Sequence, residues 1–264
     1  ADYRNNRIQK WATNAKSGIT VVDGNRPKLA ANQLSGPTAV FVDAAENIFI
    51  ADYGKQRVQK WTSRDTSGIT VAGGNGRGSA ANQLFDPFGI SADQNGNIYV
   101  TDRDNLRIQK WAPGATSGTT VAGGNGRGSA ANQFNTPHGS VHIDDSGFIY
   151  INDTENHRIQ KWAPGATSGT TVAGGNGRGS ATNQLYNPFD FCVDKIGNLY
   201  ISDSNNFRIQ KWEPGASSGT TIVQGYGDNA KSNQLKYPSA IFIDGNGYLY
   251  IVDGDRIQKL GPFK

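Results

Sequence analysis

Residues 87–133 read PFGISADQNGNIYVTDRDNLRIQKWAPGATSGTTVAGGNGRGSAANQ, and this stretch decides the fold. It divides into four short apolar runs, GISAD (89–93), NIYVTD (97–102), RIQKW (107–111) and GTTVAGG (118–124). Turn-rich segments, QNG, RDNL and APGATS, separate them. Each run has strand length, β-branched or aromatic content and turn residues at its borders, so the unit reads as four successive strands. No segment sustains helical periodicity. The unit recurs along the chain: Lys10, Lys60, Lys110, Lys161, Lys211 and Lys259 mark equivalent positions 50, 50, 51, 50 and 48 residues apart. Such a period is the signature of a repeat architecture.

A single four-stranded blade cannot bury both of its faces, but stacking it between neighbours can. That explains runs that are apolar on both sides, such as AIFID (240–244) and YLYIVD (248–253). The expectation is an all-β chain forming a single β-propeller domain over residues 1–264, with four-stranded blades of about 50 residues per repeat. The innermost run occurs five times, starting near Val40, Gly89, Gly139, Phe191 and Ala240, which predicts five blades. The third run occurs six times, as RIQKW or RVQKW at 7–11, 57–61, 107–111, 158–162 and 208–212 and as RIQKL at 256–260. Closure is then expected from N- and C-terminal strands sharing one blade: the hairpin at 6–22 beside the hairpin at 239–253, with RIQKL surplus. Six blades, the first and last incomplete, is the alternative.

The pattern P-x-G-I-x-x-D-x-x-G-N-I-Y-V-x-D-x-x-N-x-R-I-Q-K at 87–110, matched at 188–211 except for Asp190 in the glycine slot, resembles the NHL repeat. The resemblance extends over essentially the whole chain. It implies a β-propeller, commonly of six blades, and functions that range over protein binding, RNA binding and a few lyase-type or hydrolase-type enzymes. It therefore speaks to fold far more than to function.

Composition narrows the classes. Hydrophobic residues make up 36% and charged residues 18%, enough apolar surface for a packed β protein. No apolar run is long enough to span a bilayer. The net charge is +4, and the six R-x-Q-K copies contribute two cations each of the 26 Lys and Arg. Positive charge spread around the repeats argues against a nucleic-acid partner, which gathers it on one face. Cys192 is the only cysteine and sits at an apolar strand position, as a small buried hydrophobe does. No signal peptide is visible; Ala1 is readable as a mature N-terminus or as a boundary cut within a longer chain, and a secreted, extracellular setting is the expectation. The sequon at Asn152–Thr154 falls in a strand-end slot of the repeat.

Several repeated slots could carry chemistry. Asp52–Arg57, Asp102–Arg107, Asp153–Arg158 and Asp203–Arg208 share one spacing across a tight turn. Asp2–Arg7 fits it, and Asp253–Arg256 is shorter. So many copies point to a structural clamp with a charge-assisted contact. Asp43, Asp93, Asp144, Asp194 and Asp244 end the inner runs, where a carboxylate accepts hydrogen bonds from turn amides. A ring of inner carboxylates could also hold a cation, but the calcium-loop spacing is lacking. The loop GGNGRGSAANQ, identical at 73–83 and 123–133 and nearly so at 174–184, presents Asn75, Arg77, Asn125, Arg127, Asn176 and Arg178 as candidate ligand-binding residues. The outer copies at 23–33 and 224–234 diverge, and an Asn-Gln pair closes every copy. No helix follows these glycines, so a phosphate loop is not implied.

His138, His142 and His157 all lie in one repeat, and PHGSVHIDD carries one extra residue that predicts a β-bulge. His142, Asp144 and Asp145 form the one irregular polar cluster expected near the central channel. The histidines do not reproduce a zinc ligand set, so no metal or other cofactor is expected. Neither is a catalytic nucleophile, since no G-x-S-x-G motif occurs. Trp11, Trp61, Trp111, Trp162 and Trp212 all close the third run, with Leu260 in the sixth copy. Alternation along that run places Arg, Gln and Trp on one face, so each Trp is expected to pack one blade against its neighbour.

An active site is asymmetric, whereas these loops are as alike as the strands. The sequence therefore favours a non-enzymatic, multivalent binding protein whose ligand is a glycan or another protein. The alternatives are an enzyme of lyase or hydrolase type near His142 and an RNA-binding domain.

Overall fold

The computed structural model describes residues 1–12, 15–23, 33–62, 67–229, 231 and 234–263. The chain divides into two compact units, residues 1–124 and 125–264.

In the first unit, β1 (Arg7–Lys10) and β2 (Ile19–Asp23) form a two-stranded hairpin. Two four-stranded antiparallel blades follow: β3 (Pro37–Val42), β4 (Ile48–Asp52), β5 (Arg57–Trp61) and β6 (Ile69–Gly73), then β7 (Pro87–Ala92), β8 (Ile98–Asp102), β9 (Arg107–Trp111) and β10 (Thr119–Gly123). The second unit repeats the pattern with β11 (Pro137–Ile143), β12 (Ile149–Asp153), β13 (Arg158–Trp162) and β14 (Thr170–Gly174), then β15 (Asp190–Val193), β16 (Leu199–Asp203), β17 (Arg208–Trp212) and β18 (Thr220–Gln224). It ends on a three-stranded sheet of β19 (Pro238–Ile243), β20 (Leu249–Asp253) and β21 (Arg256–Leu260). The fold is an all-β propeller with five inner strands, β3, β7, β11, β15 and β19, and hence five blades.

One expectation needs correcting. The RIQKL strand is not surplus: β21 pairs with β20 from Asp253↔Arg256 to Leu249↔Leu260 and takes the third position of its sheet. The reason is local, because a hairpin partner two residues away closes a far shorter loop than any partner at the other end of the chain.

The expected bulge is present in β11–β12, and β3–β4, β7–β8 and β19–β20 also shift register, whereas β15–β16 does not. Pro87 pairs with Asp102 and Ile90 with Val100, so three steps on the inner strand face two on its partner. In β11 the step from Pro137 to Val141 faces Asp153 to Ile151, which absorbs the extra residue of that repeat.

The core lies between successive blades and repeats with them. Val58, Ala72 and Leu84 pack against Ile90, Ile98, Val100 and Trp111 of the following blade. Ile159, Ala173 and Leu185 meet Phe191, Leu199, Ile201 and Trp212 in the same way. Ile8, Val22 and Leu34 cover Ile50 and Trp61. The third- and fourth-strand residues of one blade thus seat the tryptophan of the next. Trp61, Trp111, Trp162 and Trp212 are buried, and the Trp162 and Trp212 indole N–H groups donate to Gln160 and Gln210 at 2.9 Å. Gly219 lies against the Trp212 ring so closely that a Cβ would collide with the indole nitrogen, which explains the glycine before each fourth strand. Trp11 departs from the expectation: it is 53% exposed.

The turn joining first and second strands is built as the sequence suggests. Asp93 accepts the N–H groups of Asn95 and Asn97, the Asn97 side-chain amide and the Tyr99 hydroxyl. Burial works against ionisation of Asp93, but these hydrogen bonds outweigh it and hold the carboxyl below its usual range. A carboxyl depressed below its unfolded value of about 3.9 adds stability above that pH, and the stability is lost as pH falls through the folded value. Urea midpoints are expected to fall below about pH 4, and Asp93→Asn should flatten that part of the profile. An identical acid limb in the variant would assign the loss to other groups.

Candidate binding loops

The glycine-rich crossovers at 73–83, 123–133 and 174–184 are each closed by their own hydrogen bonds. Asn75 donates its amide to the Asn82 carbonyl at 2.9 Å, and Gln83 donates to the Asn75 carbonyl at 3.0 Å. Asn125 with Asn132 and Gln133, and Asn176 with Asn183 and Gln184, repeat this within 0.1 Å. Parallel bridges Arg77↔Leu84, Arg127↔Phe134 and Arg178↔Leu185 close the three loops. Gly76 takes φ of +80°, a backbone state that suits glycine, and its Cβ position faces open space. Of the divergent outer copies, residues 24–32, 230, 232 and 233 lie outside the described residues, and with them Asn32 and Asn233 of the closing Asn-Gln pairs.

The Asp–Arg slots hold these loops from the next blade. Asp102 accepts the Phe85 N–H at 2.7 Å, the Asn105 amide at 2.8 Å and Arg107 Nε at 2.7 Å. Asn105 also donates to the Gly78 carbonyl, and Arg107 to those of Ala80 and Gln83. Asp153 likewise accepts from Asn156 and Arg158, which donate to the carbonyls of Gly128, Ala130 and Gln133; Asp203 accepts from Asn206 and Arg208, which donate to those of Gly179, Ser180, Ala181 and Gln184. Asp52 pairs with Arg57 at 2.9 Å and accepts the Ser35 N–H. Burial pushes the carboxyls of Asp102, Asp153 and Asp203 upward, and the hydrogen bonds just named oppose it. The asparagine that completes each clamp, at Asn105, Asn156 and Asn206, is legible in the sequence as D-x-x-N-x-R. So is the apolar plug after each Asn-Gln pair, at Leu34, Leu84, Phe134, Leu185 and Leu235, all buried.

The loop arginines are held from one side. Arg77 lies over the Phe85 ring at 4.6 Å and pairs with Asp86 at 2.9 Å, with 56% of its side chain exposed. Arg178 lies over Tyr186 at 4.7 Å, while Arg127 donates to Asn135 and Thr136. All three arginines are exposed, and a planar fork in solvent suits carboxylate or hydroxyl-bearing ligands.

Asp144 and Asp145 both act on His142, and the other two histidines sit elsewhere in the repeat. His142 packs on Tyr150 at 5.8 Å, and burial lowers its pKa against the opposing pull of Asp144 and Asp145. Asp144 is engaged in its turn by Ser146 and Phe148 N–H groups and lies 3.8 Å from Lys161. His138 packs edge-on to Phe189, and His157 Nδ1 accepts the Asn187 N–H. Among the described residues no group of three or more His, Cys, Asp or Glu side chains is placed to hold a metal ion. Asp190, in the glycine slot, is buried and accepts N–H groups of Ser140 at 2.7 Å and Ile241 at 3.1 Å, tying β15 to β11 and β19. Asn152, the sequon asparagine, is fully buried and donates to the Pro188 carbonyl, which closes it to modification in the folded chain. Cys192 is half-buried, and its thiol is pushed up by burial.

Residues 86–111 match the model of the NHL repeat. No curated protein matches the sequence. Among solved structures, the gluconolactonase XC5397 of Xanthomonas campestris is similar with a TM-score of 0.71 at 16% identity, over 98% of this chain and 80% of that one. A chain of the nidogen/laminin complex is similar with a TM-score of 0.68 at 16% identity, over 94% and 82%. At such identities the likeness concerns the fold alone. No helix among the described residues is long and apolar enough to cross a membrane. The chain is thus an all-β propeller in which residues 86–111 match the NHL repeat, and the same clamp recurs at Asp153–Arg158 and Asp203–Arg208.

Proposed function

We propose that this chain is a non-enzymatic, multivalent binding protein that acts without a cofactor, in one domain over residues 1–264 and in an extracellular setting. The carrying observation is that three crossover loops share one hydrogen-bonded frame and each exposes an arginine braced by its neighbours. Equivalent loops suit a ligand with repeated groups, because weak contacts then add through effective concentration. A glycan, bound in lectin-like fashion, fits best: guanidinium edges can meet hydroxyl or carboxylate groups. A partner protein is the second ligand class.

A glycan array at physiological salt tests this. Binding is expected to fall more than about tenfold when Arg77, Arg127 and Arg178 are all changed to alanine, since each step of that size is about 1.4 kcal/mol shared over three contacts. Absence of binding to every sugar removes the glycan reading.

A further inference from the structure

The loop arginines stand on near-identical loops but beside different residues. Residues 73–83 and 123–133 share one sequence, and 174–184 departs from it only at Thr182. The two residues after the buried plug are Phe85-Asp86, Asn135-Thr136 and Tyr186-Asn187, and they set three surroundings for one guanidinium. Arg77 pairs with the Asp86 carboxylate at 2.9 Å, and Tyr53 and Gln56 hold that carboxylate in place at 2.8 and 3.1 Å. Arg127 meets the neutral oxygens of Asn135 and Thr136, and Arg178 stacks on Tyr186. Among the described residues no carboxylate lies within ion-pair reach of Arg127 or Arg178. The neighbouring turn follows the same order. The residue donating its N–H to the carbonyl of Phe85, Asn135 or Tyr186 is Asp104, Glu155 or Asn205 in turn. Asp86, Thr136 and Asn187 all take a left-handed backbone, with φ of +54°, +55° and +46°, where Gly36 stands in the first copy. A β-branched threonine is a genuine outlier there, and strained residues of this kind cluster at ligand sites.

We propose that the three loops form a graded set of sites for a carboxylate-bearing sugar residue, strongest at Arg178, weaker at Arg127 and silenced at Arg77 by Asp86. This rests on the glycan reading above and names the acidic class of sugar within it. A guanidinium without a counterion offers a carboxylate two parallel N–H bonds and a full opposite charge. At Arg77 the incoming carboxylate meets a pair that is already neutral, and Asp86 repels it. Arg77 then serves a neutral hydroxyl, so a glycan carrying both acidic and neutral residues engages all three loops.

Arginine Nε–H signals in heteronuclear NMR spectra of the full chain, titrated with glucuronate, test this site by site. Saturable shifts are expected at Arg178 and Arg127, with Arg77 at least about tenfold weaker than Arg178, a difference of about 1.4 kcal/mol. Asp86→Asn should bring Arg77 up to the level of Arg127, and asparagine tolerates the left-handed backbone. Thr136→Asp should silence Arg127 in turn, so either variant decides the matter if the other does not fold. Equal shifts at all three arginines in the parent chain would overturn the proposal. So would an Arg77 that stays silent in Asp86→Asn, or an Arg127 unchanged in Thr136→Asp. Acetate acting as strongly as glucuronate would show ion pairing without a sugar site and overturn it too. Glucose acting as strongly as glucuronate would sink the acidic class and leave the glycan reading intact. No response to either sugar overturns the proposal, while the glycan reading stands or falls on the array.

Discussion

Replacing Asp203 with alanine is expected to lower stability by about 3–5 kcal/mol, the range for breaking a buried ion pair from one side. Asp203 is fully buried, and the Arg208 side chain is 7% exposed. Without the carboxylate, three donors lose their acceptor at once: Arg208 Nε, the Asn206 amide and the Tyr186 N–H. The stranded guanidinium dominates, because a buried charge without a counterion costs far more than a missing hydrogen bond. The same substitution at Asp2 should cost less than about 1 kcal/mol, since that pair lies in solvent with side chains 35% and 26% exposed. Urea unfolding of the two variants checks the contrast. Amide exchange adds a local readout: Arg208 holds the carbonyls of Ser180, Ala181 and Gln184, so the 175–184 loop should exchange faster in Asp203→Ala. Equal costs at Asp203 and Asp2 would show that the clamp does not hold the loop.

Trp212→Ala should cost a further about 3–5 kcal/mol, as large aromatic truncations in packed cores do. The indole fills the space between Ile159, Ala173 and Leu185 of one blade and Phe191, Leu199 and Ile201 of its own. Its N–H is satisfied by Gln210, so the truncation also strands a buried amide. Trp11→Ala, at 53% exposure, should stay within about 0.5 kcal/mol, as surface changes generally do. Thermal melts of both variants decide the point. A ligand platform would give the reverse pattern, with stability untouched at Trp212 and binding lost there.

Much of the fold was legible because its determinants are local. Strand length, turn residues and a period near 50 identify the blade, and the Asp that ends each inner strand announces its own turn through the amides that follow it. The clamp was half legible. D-x4-R marks the ion pair, but its targets are loop carbonyls some 25 residues upstream, as in Arg107 to Gln83. Backbone acceptors leave no mark in side-chain identity. The loop asparagines carry a role that composition does not show: Asn75, Asn125 and Asn176 are exposed, and each also donates its amide into its own loop. Composition cannot tell an amide that faces solvent from one that closes a turn.

By itself the sequence determined the blade, its four strands, the Asp–Arg pairing and the placement of tryptophan in the third strand, because each follows from spacing and alternation within one repeat. Only the tertiary structure decided which copies are equivalent in energy. Trp11 and Trp212 share a motif, as do Ile209 and Ile257, yet one of each pair is exposed and the other sealed. Burial depends on what packs against a strand, so identical repeats can carry different worth.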